Sequence, residues 1–393
     1  MEINAGNQSA RSNSIHLRPE TAAGGYIVFA RMVSGYMHQL RAIKARLGFY
    51  VLVPANDYLM GLGTFRLLLA LGVVASHTHG YIFSKYPDTG IIAVVTFFFI
   101  SGYLIPSTFQ THYDVGSPFS RLRKYAINRA LRIYPLYWVA LVAALAIICF
   151  KGNFADYDLS PKAILQNVLL LGLNQDVFWG NDTKLIGPAW TLDIELQFYL
   201  LVPFLMLVKE RFPRMFIVLL CTMSIIGLRL LLHPNGSLSI DRSILPYSIF
   251  FSLGMIVYFF KGNSPRLMKS PIYRIVASGL LIASLALFKQ PGISQWLISL
   301  ATIMVASALL QRPVSSLDKY LGDLSYPVFV LHSPLIILGI WPAETFFTSL
   351  LFNAATTLAV AAIAHWATSR HIEKLRSRNK DIPLSPVIVN ECR

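Results

Sequence analysis

Long apolar runs alternate with short polar interruptions along most of the chain, and ten of these runs are long enough to be membrane-crossing helices. In the first half they fall at 64–83, 91–109, 134–150, 189–208 and 215–232; in the second, at 244–260, 275–288, 294–311, 323–341 and 345–368. A helix rises about 1.5 Å per residue, so roughly 20 apolar residues cover a hydrocarbon layer about 30 Å thick. The pattern predicts an all-α fold, a polytopic transmembrane helix bundle of about ten spans. One further apolar run, Ile164 to Leu173, is cut short by Asn174 and Gln175. It is expected to lie outside the bilayer as an interfacial or re-entrant piece, because lipid satisfies no exposed backbone group. Residues 64–368 thus form one membrane domain between two basic tails, 1–63 and 369–393. The first tail opens with Ser, Asn and Arg and continues with Arg31, Arg41, Lys44 and Arg46 among apolar residues, the pattern of a helix lying on the inner leaflet.

The polar interruptions carry an orientation signal. Arg121, Arg123, Lys124, Arg129 and Arg132 share one interruption, and Lys209, Arg211 and Arg214 share the next but one. Lys261, Arg266, Lys269 and Arg274 follow, then Arg312 and Lys319, then the tail with Arg370, Lys374, Arg376, Arg378 and Lys380. The loops between them hold only scattered lysines and one arginine. Since Lys and Arg accumulate on the cytoplasmic side, alternation of basic loops predicts an even number of spans with both termini in the cytoplasm. The net charge of +15 would suit a nucleic-acid partner if it clustered on one face, but its division among loops argues against one. Only 13% of the 393 residues are charged, about half the share usual in soluble domains, which leaves lipid as the natural partner. Cys149, Cys221 and Cys392 show neither metal nor redox spacing.

Ionisable groups inside spans are costly and mark function by default. Arg66, His77, Glu195, Arg229, His332 and His365 stand out. Arg66 and His77 are eleven residues apart on the first helix, so they share a face but differ in depth by about 16 Å. A guanidinium at the cytoplasmic mouth suits an anionic donor, and a neutral imidazole deeper in suits removal of a proton from an acceptor hydroxyl. The same two residues also fit a snorkelling anchor and a structural histidine. Arg229 and His365 read as interfacial or packing residues. The glycine at Ser101-Gly102 reads as a close helix contact.

Five segments together resemble the type 3 acyltransferases, integral membrane O-acyltransferases of bacterial envelopes and secondary metabolism with relatives in animals. They are FRLLLALGVVASH (Phe65 to His77), FFFISGYLI (Phe97 to Ile105), RALRIYPLYW (Arg129 to Trp138), AWTLDIELQFYLLVP (Ala189 to Pro203) and LGDLSYPVFVLHSPL (Leu321 to Leu335). They occur in the family's order. Of His77 and His79, only His77 keeps the family spacing from Arg66. With no esterase-like domain after the last helix, the chain resembles the stand-alone form.

The resemblance implies transfer of an acyl group, usually acetyl from acetyl-CoA or another acyl-CoA, to a hydroxyl of a sugar, glycan or glycolipid at the bacterial inner membrane. It makes His77 the general base. Glu195, at a depth similar to that of His77 on the 189–208 run, reads either as the carboxylate that orients its imidazolium or as a partner for a buried hydroxyl or amide. Arg129 and Arg132, three apart and on one helix face, join Arg66 in holding CoA phosphates. His332 either hydrogen-bonds within the bundle or lines the donor channel, and Trp190 and Tyr199 border the acceptor. No metal cluster, Walker loop or nucleotide-binding glycine pattern occurs in the sequence, so no metal is expected. A transporter or flippase for a lipid or sugar, and an acyltransferase acting on a cytoplasmic metabolite, fit the intramembrane polar groups as rivals.

Overall fold

The computed structural model describes residues 61–78, 87–113, 117–152, 154–173, 184–232, 243–260, 270–287, 291–310, 312, 314–339 and 345–378. By internal contacts the chain divides into two units, 1–55 and 56–393, and every described residue belongs to the second. The expected inner-leaflet helix, the first tail up to residue 60, His79, Cys392 and the last tail beyond residue 378 lie outside the described residues.

All described elements are helical: α1 (Leu62–Thr78), α2 (Thr89–His112), α3 (Pro118–Lys151), α4 (Pro161–Leu169), α5 (Ala189–Arg211), α6 (Pro213–Leu232), α7 (Ile244–Phe259), α8 (Pro271–Ala286), α9 (Pro291–Leu309), α10 (Ser316–Leu338) and α11 (Phe346–Ser377), with a short 3-10 turn at Phe154–Asp156. Each of the ten expected runs meets one helix. Six of these, α2, α3, α5, α6, α10 and α11, are long and apolar enough to cross a membrane, while α1, α7, α8 and α9 are shorter apolar helices. The molecule is a multi-pass membrane protein. The run expected outside the bilayer overlaps the end of α4, which lies along α3: Trp138 Nε1 and Tyr134 Oη donate to the Val168 and Leu169 carbonyls, both at 2.9 Å.

Local sequence explains the helix starts. Ser117-Pro118, Ser160-Pro161 and Ser270-Pro271 each place a serine at the N-cap and proline in the first turn, and each serine accepts a backbone N–H. A short hydroxyl side chain satisfies an otherwise orphan amide there, and proline needs no amide partner. This chemistry moves the start of α3 from the expected 134 to 118. The basic stretch Arg121 to Arg132 is therefore helical, not a loop. α10 likewise starts at Ser316, capped by Ser315, and α11 continues to Ser377, beyond the expected 368. Gly152 and Gly339 close α3 and α10 in the left-handed conformation that glycine adopts most readily.

The layering follows burial. The apolar windows of α2 and α10 are 67% and 61% buried, whereas those of α6 and α11 are 17% and 22% buried and turn most of their apolar surface away from the rest of the bundle. α1 packs mainly on α10 and α2, and α2 packs on α7. The α2–α7 crossing is close because Gly102 faces the Phe251 backbone and Gly254 faces the Phe99 carbonyl. A Cβ at either position would collide with main chain, so small residues set the approach.

The start of α1 depends on a residue 250 positions away. The buried Asp318 carboxylate of α10 accepts from Gly61 N (3.1 Å), Gly63 N (3.0 Å), Thr64 N (2.7 Å) and Thr64 Oγ1 (2.9 Å). It caps a neighbouring helix. Gly63 and Gly322 lie back to back beneath it, and a Cβ on Gly63 would overlap the Asp318 carbonyl. Replacing Asp318 by Ala removes a charged acceptor from four donors and is expected to cost about 3 kcal/mol or more. Asp318→Asn, which keeps one acceptor oxygen, should lose less. Thermal unfolding of the two variants in detergent, followed by helical circular dichroism, checks the order; equal midpoints for Asp318→Ala and the parent would refute the capping role.

Candidate functional site

Two neighbouring cavities open into the bundle. The first, of about 150 Å³, is walled by Arg66 of α1, Ser101 of α2, Arg129 and Arg132 of α3, Thr191, Glu195 and Tyr199 of α5, and Ser325, Tyr326 and Phe329 of α10. The second, of about 380 Å³, is walled by Ser76 and His77 of α1, Asp88, Gly90 and Val94 near and along α2, Lys184, Gly187, and Trp190 and Thr191 of α5. Val94 and Thr191 contribute to both, so the cavities stand against a shared wall.

Five of the eight residues singled out in the sequence, Arg66, Arg129, Arg132, Glu195 and Tyr199, therefore converge on the first cavity. His77 and Trp190 converge on the second. The eleven-residue offset on α1 explains the division: one face of one helix serves both cavities at two depths.

In the first cavity three guanidiniums confront one carboxylate. Glu195 Oε1 accepts from Ser101 Oγ at 2.9 Å and from Tyr199 Oη at 2.7 Å. Arg66 lies within electrostatic range of Arg132, Glu195 and Asp323. Arg129 is buried, with its guanidinium carbon 5.5 Å from the ring centres of both Tyr125 and Tyr199. Ring faces attract a cation but do not neutralise it. Tyr326 Oη donates to the Ile133 carbonyl at 2.6 Å and Tyr125 Oη to the Tyr199 carbonyl at 3.1 Å, which tie α10 and α5 to α3 around the arginines. With more positive than negative charge on its walls, the cavity is matched to an anion.

In the second cavity His77 Nδ1 lies 2.9 Å from the Val73 carbonyl, which also accepts from Ser76 Oγ at 2.8 Å. Donation from Nδ1–H to that carbonyl leaves Nε2 with its lone pair, and Nε2 points towards Gly187. His332 packs beside it, ring centres 5.2 Å apart, and is buried, with Nδ1 3.2 Å from the Val328 carbonyl and no partner for Nε2 among the described residues.

One of the expected pairings is corrected by this geometry. Glu195 does not orient His77: its hydrogen bonds go to Ser101 and Tyr199 in the other cavity, and a backbone carbonyl one turn back holds the imidazole. His332 accompanies His77 and is not a wall of the arginine cavity. Ser101-Gly102 divides its labour, with glycine at the helix crossing and serine bonded to Glu195. Arg229 is exposed near the end of α6, and His365 meets the ring of Tyr320 edge-on at 5.8 Å.

Buried carboxylates escaped the sequence reading. Asp193, two residues before Glu195, accepts from Leu173 N at 3.0 Å and Gln197 Nε2 at 3.2 Å and so fixes the segment after α4. Its i, i+4 relation to Gln197 was the available signal. Asp318 carried no local signal, because its donors lie on another helix.

A multi-pass bundle with an arginine-lined cavity behind a histidine-lined one is thus the class of protein that the fold and site define. The family model described as an acyltransferase domain, type 3, matches residues 61–367, and the chain belongs to that family. It is similar to the O-acetyltransferase OatA of Staphylococcus aureus (strain NCTC 8325 / PS 47), 27% identical over 323 residues, which cover 71% of this chain and 51% of the relative. Another Staphylococcus aureus protein (strain COL), provisionally named an O-acetyltransferase, is 24% identical over 316 residues with the same coverage. The chain spans about half the length of these curated relatives. No solved structure matches it.

The two hydrogen bonds that Glu195 accepts lead to a stability prediction. Glu195→Ala strands two hydroxyls and removes the carboxylate facing three arginines, and should destabilise by about 2–4 kcal/mol. Glu195→Gln keeps an acceptor oxygen and should lose less than half as much. Denaturant titration in detergent with a tryptophan fluorescence readout measures both, and equal losses would show that the hydroxyl bonds contribute nothing.

Proposed function

We propose that the protein is a membrane-embedded O-acyltransferase that moves an acyl group, acetyl in the first instance, from acyl-CoA to a hydroxyl of a sugar or glycan. The bundle has ten spans and both termini in the cytoplasm, in the bacterial inner membrane, and the acceptor binds from the outer side. The observation that carries this is the pair of cavities, one lined by arginines and one by a base-competent histidine, sharing the wall formed by Val94 and Thr191. The O-acetyltransferase names of the similar proteins support the group transferred. The basic start of α3 and the basic end of α11 support the orientation.

In this mechanism Arg66, Arg129 and Arg132 hold donor phosphates by charge-assisted hydrogen bonds. The pantetheine arm runs past Thr191 and presents the thioester near His77. His77 Nε2 takes the proton of the acceptor hydroxyl, the alcohol oxygen attacks the thioester carbonyl, and the carbon–sulfur bond breaks as the ester forms. The imidazolium then returns the proton to the departing thiolate. Val73 fixes the tautomer that makes this possible, and Trp190 flanks the acceptor. Glu195 tempers the arginine cavity and aligns Tyr199 and Ser101.

His77→Ala is expected to lower transfer by a factor of roughly 10² to 10⁴ while CoA binding persists. Arg132→Gln is expected to raise the KM for acyl-CoA with less change in kcat. Protein in vesicles, given radiolabelled acetyl-CoA on one side, provides both readouts. Retention of full transfer by His77→Ala would overturn the mechanism. Labelled ester on an acceptor confined to the donor's side would place the acceptor in the cytoplasm, and translocation of a sugar or lipid without label loss would favour transport. Mass comparison of the exported glycans of a deletion strain and its parent identifies the acceptor.

A further inference from the structure

The segment after residue 368 was expected to be a tail, yet α11 continues through it as helix and returns to the arginines of α3. The Arg376 carbonyl accepts a hydrogen bond from Asn128 Nδ2 at 3.2 Å, one residue from Arg129. The Arg376 guanidinium lies within electrostatic range of Arg132, Arg129 and Tyr113; burial first, then the Arg132 charge, pulls it below its usual value.

Two guanidinium donors at this junction, Arg129 Nε and Arg376 Nε, are buried without a hydrogen-bond partner, while Tyr113 Oη lies beside Arg129 and Asn128. Arg129 is only 6% exposed. Arg376 reaches Glu373 through one terminal nitrogen at 3.2 Å, but the Glu373 side chain is 60% exposed and screened by water. Nearby Arg121, by contrast, has Glu210 at 3.5 Å and the Tyr113 carbonyl at 2.8 Å. Among the described residues no carboxylate forms an ion pair with Arg129 or Arg132. Crowded guanidiniums with idle donors are costly to hold together, and a multivalent oxyanion relieves that cost because its oxygens match the planar guanidinium fork.

We infer that Arg376, on the C-terminal extension of α11, joins Arg129 and Arg132 as a binding residue for the phosphate groups of a phosphorylated ligand, so that the last helix completes the anion site. The identity of that ligand as CoA rests on the function proposed above; the anion site itself does not.

The test titrates CoA, inorganic pyrophosphate and phosphate-free acetylpantetheine into the full-length protein in nanodiscs by calorimetry, for the parent, Arg376→Gln, Arg376→Lys and Glu373→Gln. Arg376→Gln should weaken CoA and pyrophosphate about 10-fold or more, with Arg376→Lys between it and the parent. Acetylpantetheine should bind the parent and Arg376→Gln alike, and Glu373→Gln should bind pyrophosphate at least as tightly as the parent. Unchanged pyrophosphate affinity in Arg376→Gln, or an equal loss in Glu373→Gln, would overturn the inference, the second by showing the pair to be a structural tie. Arg376-dependent pyrophosphate binding without CoA binding would uphold the anion site and sink the donor assignment instead. Binding of neither anion by the parent would sink both. If Arg376→Gln does not fold, phenylglyoxal modification of the parent, mapped by peptide mass, replaces it: pyrophosphate should shield Arg376, and modification at an unchanged rate would refute the site.

Discussion

The first turn of a helix has backbone amides with no partner of their own, and α1 meets this constraint with a carboxylate lent by α10. Asp318 closes over Gly61, Gly63 and Thr64, and the glycine contact beneath it leaves no room for the two helices to slide. Everything functional on α1 inherits this register. A slip of one residue would turn α1 by about 100° and carry both Arg66 and His77 off the faces they now share with their cavities. At the other end of α1, Asn353 Nδ2 of α11 donates to Thr78 Oγ1 at 3.0 Å, so the helix is held at both ends by polar contacts and along its length by packing.

The two cavities follow from that registration. Buried arginine side chains need water or an anion. Three turns of α1 separate Arg66 in one cavity from His77 in the other, while Thr191, one turn before Glu195, belongs to both walls. Glu195 and Asp193 lie on the same helix two residues apart and face different partners, one the hydroxyls of Ser101 and Tyr199, the other the backbone after α4. Their proximity in sequence conceals two distinct duties.

Much of the fold was legible because apolar length is a one-dimensional property. Ten runs foretold ten helices, and the residues that converge on the arginine cavity were named from intramembrane charge, helical spacing and the motifs of the resembled family. What the pattern concealed was polar structure beyond the apolar windows. The starts of α3 and α10 and the end of α11 are helices made of charged residues, and their signals were caps, Ser117-Pro118 and Ser315, not hydrophobicity. Pairings were concealed for a different reason. A carboxylate's partner depends on which helix stands opposite, so Glu195 could be assigned to His77 by depth alone, although its hydrogen bonds run across the bundle to Ser101. Asp318 illustrates the limit: it caps a helix more than 250 residues away.

Basic side chains on α3 differ in burial. Lys and Arg flank spans on the cytoplasmic face because translocating them is unfavourable, and that preference operates without any ligand. Arg123 and Lys124 fit this simple account, since they lie at the protein surface, exposed or half-exposed. Arg129 does not: it is buried among Tyr125, Tyr199 and Tyr113, where its charge is costly and contributes nothing to orientation that Arg123 does not already provide. Burial therefore separates the two roles on one basic helix. The residues that only orient the chain stay in water, and those that sacrifice their hydration gather, from α1 and α3, around a space the protein itself leaves short of negative charge.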